Sequence, residues 1–162
     1  IDIGRMIIKK DFKKALFLIN QSSKENHENI QHVSKKMLLL YVQAYQSFLW
    51  NKCVREYVKN NSKNTDLPLM GFGYEYSASE IIEKVMEQES ITPRDFIIRE
   101  LPDISLEGGF RAVYENPEKL QISNLQDDEL NQDKKKCLVS FTLSKGSYAT
   151  ELIRQTISSK LV

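Results

Sequence analysis

Hydrophobic residues recur at two different periods along this chain. In the first hundred residues they follow helical spacing, with Asp11 predicted to cap a first helix and Ser34 a long second one. Two further helix starts are predicted, one from a capping box at Ser77 and one from Pro93 at a first helical position. Before all of these, the run Arg5 to Lys9 predicts a short strand.

From Ser105 onward, apolar and polar residues alternate, and this period of two predicts strands. Ser147 is then predicted to cap one terminal helix. Helices first and strands later favour an α+β fold over a doubly wound parallel sheet. The predicted strands are Arg111 to Glu115, Lys119 to Leu125 and Lys136 to Leu143.

The segment Met37 to Val58 predicts a helix that is apolar almost all the way round in its first half. A surface helix has one apolar stripe, so this helix is expected to be buried on several sides. Its polar residues need hydrogen-bond partners within the protein or at a ligand. Two interpretations remain: Tyr45 and Trp50 belong to the core, or they border a cleft together with Ser47 and Asn51.

Composition is that of a globular protein, with 162 residues, 41% hydrophobic and 28% charged. This length fits one domain, or one domain and a fragment of another. No apolar run is long enough to span a membrane, and the residues Ile1 to Lys10 do not have the pattern of a signal peptide. The chain begins at Ile1 rather than at methionine, so we expect a part of a longer polypeptide. Two cysteines without metal spacing, Cys53 and Cys137, suggest reduced core thiols of a cytosolic protein.

The net charge of +1 does not by itself indicate nucleic-acid binding. A balanced total still permits a basic face, and several lysine pairs are either such a face or ordinary solvated surface. These are Lys9-Lys10, Lys13-Lys14, Lys35-Lys36 and the run Lys134 to Lys136.

Familiar catalytic signatures are missing, including the P-loop, the dinucleotide-binding glycine pattern and the zinc HExxH motif. His27 and His32 are five residues apart, which is not the spacing of a metal pair on one helix, so they are interpreted as loop histidines. Arg111 follows a glycine turn at Gly108-Gly109, where arginine suits either a phosphate or a surface salt bridge.

The segment Phe141 to Gln155 predicts a strand, a glycine turn and a helix N-terminus. Such a terminus favours anions, and Lys145 adds a cation beside it. The aromatic ring of Tyr148 either stacks on a base or fills the core. An ordinary capped helix and a phosphate contact both fit this pattern.

Two of these segments, YVQAYQSFLWN and FTLSKGSYATELIRQ, together resemble the TruD family of tRNA pseudouridine synthases, especially its archaeal members. The stretches IGRMIIKKDFKKAL, PLMGFGYE and DFIIRELPDISLEGGFRAV agree with this in order and spacing. The resemblance covers nearly the whole chain. One departure is Ser144, where the family usually has proline.

The resemblance implies an α+β fold in three parts. Residues 1–9 would be a remnant of the catalytic domain, and residues 10–132 the helix-rich insertion domain of the family, with a mixed or antiparallel sheet. Residues 133–162 would be the returning strand and helix of the catalytic domain.

The resemblance also implies an isomerase that converts a uridine of tRNA, typically uridine 13, to pseudouridine without cofactor or metal. The family's nucleophilic aspartate lies in an N-terminal G-x-K-D-like motif, and no aspartate here has that setting. This chain is therefore expected to be the C-terminal part of a cytoplasmic enzyme and to be inactive alone. Its expected partners are tRNA and the N-terminal catalytic half, with no membrane and no metal.

Site residues follow from the resemblance in two groups. The first group is expected beside the missing nucleophile and comprises Lys145, Gly146, Ser147, Tyr148 and Arg154. The second group is expected in the insertion domain or along the groove next to it and comprises Arg111, Tyr45, Trp50 and Asn51. Two alternatives remain: a non-catalytic RNA-binding or protein-interaction module of TruD-like sequence, and an α+β domain that binds no RNA.

Overall fold

The computed structural model describes residues 1–23, 25–60, 63–73, 80–144 and 147–158, without the side chains of residues 60, 157 and 158. The chain divides into two compact units, Ile1–Val113 and Tyr114–Val162. Helices dominate the first unit, and short antiparallel strand pairs dominate the second. The predicted α+β class is confirmed. The predicted division into residues 1–9, 10–132 and 133–162 stays a prediction.

The first helix, α1 (Asp2–Ile8), occupies the run that was predicted as a strand, so that prediction is wrong. Two β-branched residues in succession, Ile7 and Ile8, suggested the strand, but both are fully buried on the helix. Packing of the helix against its neighbours outweighs their weak intrinsic preference. Helix α2 (Phe12–Ser22) begins as predicted, with the Asp11 carboxylate accepting a hydrogen bond from the Lys14 N–H at 3.1 Å.

The long helix α3 (Lys35–Asn60) begins directly after Ser34, whose carbonyl accepts the N–H of Leu38. Its buried residues recur at helical spacing and form one face. Met37 and Leu40 are exposed on the opposite side, so burial on several sides is wrong for the first turns. The buried apolar residues of α3 are Leu38, Val42, Tyr45, Leu49, Trp50 and Cys53.

Helix α4 (Glu80–Glu89) packs on α3 through Ile82, Val85 and Met86. The predicted cap Ser77 lies outside the described residues. A 3-10 turn, Pro93–Phe96, follows where the proline predicts a helix start, and the Asp95 carboxylate accepts hydrogen bonds from the Thr92 N–H and hydroxyl. Two other 3-10 turns span Ile30–His32, before α3, and Pro102–Ile104.

Strands β1 (Asp66–Leu69) and β2 (Gly109–Ala112) form an antiparallel pair in which Leu67 lies opposite Arg111. Beside this pair, Gly71 lies so close to the backbone of Glu107 and Gly108 that a side chain would clash with it. This close approach keeps the segment after β1 against the segment before β2.

The second unit contains two more antiparallel pairs, so the predicted strand region is confirmed with shorter strands. Strand β3 (Glu118–Ile122) pairs with β6 (Val139–Thr142), and β4 (Gln126–Asp127) pairs with β5 (Lys135–Lys136). Helix α5 (Ala149–Ser158) follows. It begins one residue later than a cap at Ser147 predicts, because the Tyr148 carbonyl accepts the first helical N–H bonds.

The buried apolar side chains are distributed unequally between the two units. Every buried apolar side chain of the described residues lies between Ile7 and Ile104, in the first unit. Cys53 is one of them, and its burial raises the pKa of the thiol to about 11. Cys137 is exposed, so its prediction as a core thiol is wrong. None of the described helices has the length and apolar content that a membrane crossing requires.

Candidate functional site

The structure brings two predicted site residues, Trp50 and Arg111, into contact. The Arg111 guanidinium lies over the Trp50 ring, 5.2 Å from its centroid, which is within the range of a cation–π interaction. Pairing of β1 with β2 explains this, because Arg111 lies opposite Leu67 and the Leu67 carbonyl accepts the Trp50 Nε1–H at 3.3 Å. Trp50 is 7% exposed, so it serves as a fixed platform under a half-buried arginine.

The Arg111 side chain makes no ion pair or hydrogen bond with the described part of the chain. Its guanidinium carries several N–H donors in a planar fork that matches phosphate oxygens. The ring of Trp50 limits the rotamers of the arginine without using those donors. The arrangement is therefore suited to an external anion.

Tyr45 lies in the core and is 0% exposed. Its hydroxyl donates to Glu89 Oε2 at 3.0 Å, and its ring stacks near Phe48 with centroids 6.2 Å apart. Burial, followed by the neighbouring Glu89 charge, raises the pKa of the hydroxyl. The structure therefore places the Tyr45 side chain in the core rather than at the border of a cleft.

Gln46 is the buried polar residue of α3, and its amide nitrogen donates to the carbonyls of Met70 at 2.6 Å and Glu107 at 3.1 Å. It thereby ties α3 to both segments that flank the β1–β2 pair. Asn51 is exposed next to Trp50 in sequence, so its amide is accessible to solvent. Asn51 stays a predicted RNA contact.

A charged cluster around Glu89 was not anticipated from the sequence. Glu89 ends α4 and is 10% exposed, and its carboxylate accepts from Arg5 Nε at 3.0 Å and from Lys52 Nζ at 2.7 Å. A negative charge at a helix C-terminus is unfavourable, so these cations are needed there. The Arg5 guanidinium also lies over the rings of Tyr45 and Phe48, at 5.4 and 5.5 Å. The cluster joins α1, α3 and α4.

Opposing effects act on the ionisation of Glu89. Burial disfavours its charge, but hydrogen bonds from Lys52 and Tyr45 and the charges of Arg5 and Lys52 outweigh burial. The pKa of the carboxyl therefore lies below its usual range. The hydroxyl of a buried tyrosine needs a hydrogen-bond partner, and this need was the one feature of the sequence that pointed to the cluster. The sequence does not show which carboxylate is that partner.

Among the described predicted residues of the second unit, Ser147 and Tyr148 directly precede α5, and Arg154 lies on that helix. Tyr148 is 69% exposed directly before the helix, and the Ser147 N–H donates to the Ser144 carbonyl at 3.1 Å. Lys145 and Gly146 lie outside the described residues. The Tyr148 ring is therefore not part of a core in this unit, and it is accessible for stacking.

Arg154 lies on the exposed side of α5 and forms a forked pair with Glu151, with distances of 2.9 and 2.6 Å. This hydrogen bonding, with that of Gln155, lowers the pKa of the Glu151 carboxyl to about 2. An exposed pair at this spacing contributes little to stability, so Arg154 can exchange this partner for a stronger anion.

None of the chain's eight aspartates is buried, and most have structural roles. Asp11 caps α2, Asp95 binds Thr92, and Asp103 pairs with Lys35. Asp2 and Asp127 likewise pair with Arg5 and Lys135. Within the described ranges, no group of three or more histidine, cysteine, aspartate or glutamate residues is arranged to hold a metal ion.

Comparison with known proteins shows which family this chain is similar to. The family model described as tRNA pseudouridine synthase D (TruD) matches residues 54–156. The protein named "Probable tRNA pseudouridine synthase D 2" of Methanocaldococcus jannaschii is 28% identical over an alignment of 192 residues, which covers 94% of this chain and 44% of that protein. The tRNA pseudouridine synthase D of Aquifex aeolicus is 25% identical over 154 residues, covering 77% of this chain and 38% of that protein.

A solved structure agrees with the fold. It is a crystal structure from Methanosarcina mazei of a protein described as tRNA pseudouridine synthase D (TruD), with a TM-score of 0.69 and 18% identity. The similarity covers 94% of this chain and 56% of that one, and at this identity it shows the fold alone. The chain spans about half the length of the curated relatives it matches. Because the family model matches more than half of its residues, the chain belongs to the TruD family of tRNA pseudouridine synthases.

Proposed function

We propose that this chain is the C-terminal part of an enzyme that isomerises a uridine of tRNA, uridine 13, to pseudouridine. The family match over residues 54–156 is the observation that carries the proposal. The Arg111–Trp50 pair supports it, because an arginine held on a ring with unused donors suits an RNA phosphate. The compartment follows from the substrate, since we expect tRNA modification in the cytoplasm. No cofactor or metal is part of the proposed reaction.

The nucleophilic aspartate is proposed to lie upstream of Ile1, in the N-terminal half of the enzyme. The positions of this chain's aspartates support that placement. A nucleophile needs a free carboxylate in a pocket, whereas these carboxylates cap helices, pair with lysine or arginine, or lie on exposed surface.

The N-terminal half is also the proposed covering of the second unit. Isolated two-stranded pairs are marginally stable in water, and the described residues of this unit include no buried apolar side chain. A large number of apolar side chains is exposed instead, which is typical of a surface that another body covers. They include Leu120, Ile122, Leu125, Leu130, Leu138 and Tyr148.

Lys145, Gly146, Ser147, Tyr148 and Arg154 are proposed to border the active site that the two halves form together. The exposed ring of Tyr148 supports a stacking role for the flipped nucleotide or its neighbour, worth about 1–3 kcal/mol per base. Extruding the uridine from its stack costs a few kcal/mol, which contacts of this kind offset. Arg154 or Lys145 is proposed to pair with the nucleophile or with a phosphate.

The 162-residue chain alone is expected to form no pseudouridine in a transcribed tRNA, because it lacks the nucleophile. The longer protein that includes the upstream half is the positive control, and pseudouridine is measured by chemical labelling and primer extension. Turnover by the chain alone would refute the placement of the aspartate. Absence of turnover in both proteins would refute the proposed reaction.

Replacing Arg111 with alanine is expected to weaken tRNA binding by the chain about 5-fold to 10-fold, because one phosphate contact is lost. The slope of log Kd against log salt should fall by about 1. Fluorescence anisotropy with labelled tRNA measures both, and we expect Lys145→Ala to act in the same direction.

Arg111→Lys is the matched control for this experiment. It keeps the charge but loses the planar fork over Trp50, so an intermediate affinity is expected. Binding that is insensitive to salt and to both substitutions would favour a domain that binds no RNA specifically.

A further inference from the structure

A basic pocket of about 350 Å³ lies in the first unit, and it is lined by none of the residues that the family resemblance places at a site. The turn after α1 contributes Lys10, and the 3-10 turn Pro93–Phe96 and the segment after it contribute the rest. Three cations face one carboxylate in this pocket, which is lined by Lys10, Arg94, Ile97, Arg99 and Glu100. We call it the Arg94–Arg99 pocket.

Lys10 is held in place by its backbone and by its side chain. Its φ of 62° is in the left-handed region, which few residues other than glycine adopt, and its N–H donates to the Ile7 carbonyl at 3.0 Å. Its ammonium donates to the Asp95 carbonyl, which ties the turn after α1 to the 3-10 turn. Burial lowers the pKa of this ammonium, while the charges of Asp95 and Glu100 act to raise it. One positive charge is thus fixed where water is partly excluded.

Both arginines of the pocket are exposed, and neither forms an ion pair with any residue that the structure describes. Asp95, the acidic residue beside Arg94 in sequence, directs its carboxylate to Thr92 instead. Even when the charge of Asp95 is counted with that of Glu100, two carboxylates do not balance three cations. The pocket therefore carries a net positive charge that its own residues leave uncompensated.

The side chains that line the pocket indicate which class of ligand it binds. The net charge excludes a metal cation, and two arginine forks beside an ammonium match the oxygens of a phosphate group. Ile97 adds an apolar side chain that is 41% exposed, which suits the sugar attached to a phosphodiester better than a bare ion. The exposed lysines Lys9 and Lys13 extend the positive charge along the adjoining chain.

We propose that the Arg94–Arg99 pocket binds a backbone phosphodiester of the RNA substrate, as a contact additional to Arg111, and so positions the RNA on the first unit. This inference rests on the proposed function, because that function makes RNA the ligand. Free inorganic phosphate is the other source of the same chemistry. The phosphate contact carries no sequence information and acts on affinity and orientation.

The test combines Arg94→Ala with Arg99→Ala in the 162-residue chain and measures binding of a transcribed tRNA by fluorescence anisotropy from low to moderate salt. We expect Kd to rise about 10-fold and the salt slope to fall by about 1. The pair Arg55→Ala and Lys84→Ala is the matched control, since it removes two exposed cations, one of α3 and one of α4, from the same unit. Its Kd should change less than 3-fold. Urea unfolding midpoints should agree among all three proteins, because the substituted side chains are exposed.

A second arm adds inorganic phosphate to the ¹⁵N-labelled chain and follows the side-chain Nε–H signals of Arg94 and Arg99. Shifts of these signals together with the loss of tRNA affinity would support the proposal. Shifts with phosphate, but equal tRNA affinities for the pocket variant and its control, would identify a free-phosphate site and overturn the RNA contact.

Two further outcomes separate this inference from the proposed function. If wild-type binding is salt-sensitive and Arg111→Ala weakens it while the pocket variant does not, the pocket inference alone is overturned. If the wild-type chain binds no tRNA at all, the proposed RNA contacts of Arg111 and of the pocket are both overturned, whereas the turnover measured with the longer protein still decides the reaction.

Discussion

Gly4→Ala should destabilise the first unit by about 3 kcal/mol, although alanine is the better helix former by about 1 kcal/mol. Gly4 lies within α1, at the point where this helix crosses α3 so closely that the two backbones are in contact. A Cβ at Gly4 would lie 2.7 Å from the carbonyl carbon of Tyr41, still nearer to its oxygen, and 2.9 Å from the Tyr45 Cβ. Backbone atoms of a long helix do not move aside cheaply, so α1 would have to shift outward.

Urea unfolding followed by tryptophan fluorescence measures this effect, since Trp50 is the one tryptophan of the chain and is buried in the first unit. Gly109→Ala is the matched control, because a Cβ at Gly109 meets no heavy atom within 4 Å. We expect the control to change the free energy of unfolding by less than about 1 kcal/mol. Equal effects of the two substitutions would contradict the close crossing of α1 and α3.

Glu89→Ala should cost about 2 kcal/mol at neutral pH, because it leaves Arg5 and Lys52 without their carboxylate and Tyr45 without its acceptor. The full cost of breaking a buried pair, about 3–5 kcal/mol, is not expected, since Arg5 and Lys52 are 25% and 31% exposed and water partly solvates them. Glu87→Ala is the control on the same helix. Glu87 is exposed, so a change below about 0.5 kcal/mol is expected.

The effect of Glu89 should depend on pH in a defined direction. Its pKa is lowered in the folded protein, so the ionised carboxyl contributes stability above the unfolded value of about 4.3, and this contribution is lost as the pH falls through the folded pKa. The difference in unfolding free energy between the wild type and Glu89→Ala should therefore shrink below about pH 4. A difference that is constant from pH 7 to pH 3 would show that the charge of Glu89 is not what stabilises the cluster.

Local signals in the sequence predicted the elements well where caps and periods act within a few residues. Asp11 before α2, Ser34 before α3 and Pro93 at its turn depend on hydrogen bonds and backbone angles near in sequence. The run at Ile7 and Ile8 was predicted as a strand because β-branched residues favour strands when nothing else is known. Both residues are buried against other helices, and this packing favours the helix α1 over a strand.

The predicted site residues were selected one by one from the sequence, whereas their contacts depend on the tertiary structure. Trp50 was selected as a candidate cleft residue and Arg111 because it follows a glycine turn, but only the register of β1 with β2 places the guanidinium over the ring. Tyr45 was selected by the same reasoning and lies in the core, because a helix position at i−5 from Trp50 faces α1 and α4 rather than the β1–β2 pair.

The sequence by itself determined the α+β class, the Asp11 cap, the long helix α3 and the family resemblance, since each depends on neighbours in the chain or on ordered motifs. Tertiary structure alone decided the ion cluster at Glu89, the Arg111–Trp50 contact and the Arg94–Arg99 pocket. Each of them joins segments that are tens of residues apart in sequence, such as those of Arg5 and Glu89, which are 84 positions apart. Charges so far apart in sequence come close only when helix packing and strand register have fixed their positions. The local hydrophobic periodicity of the sequence contains no information about those distances.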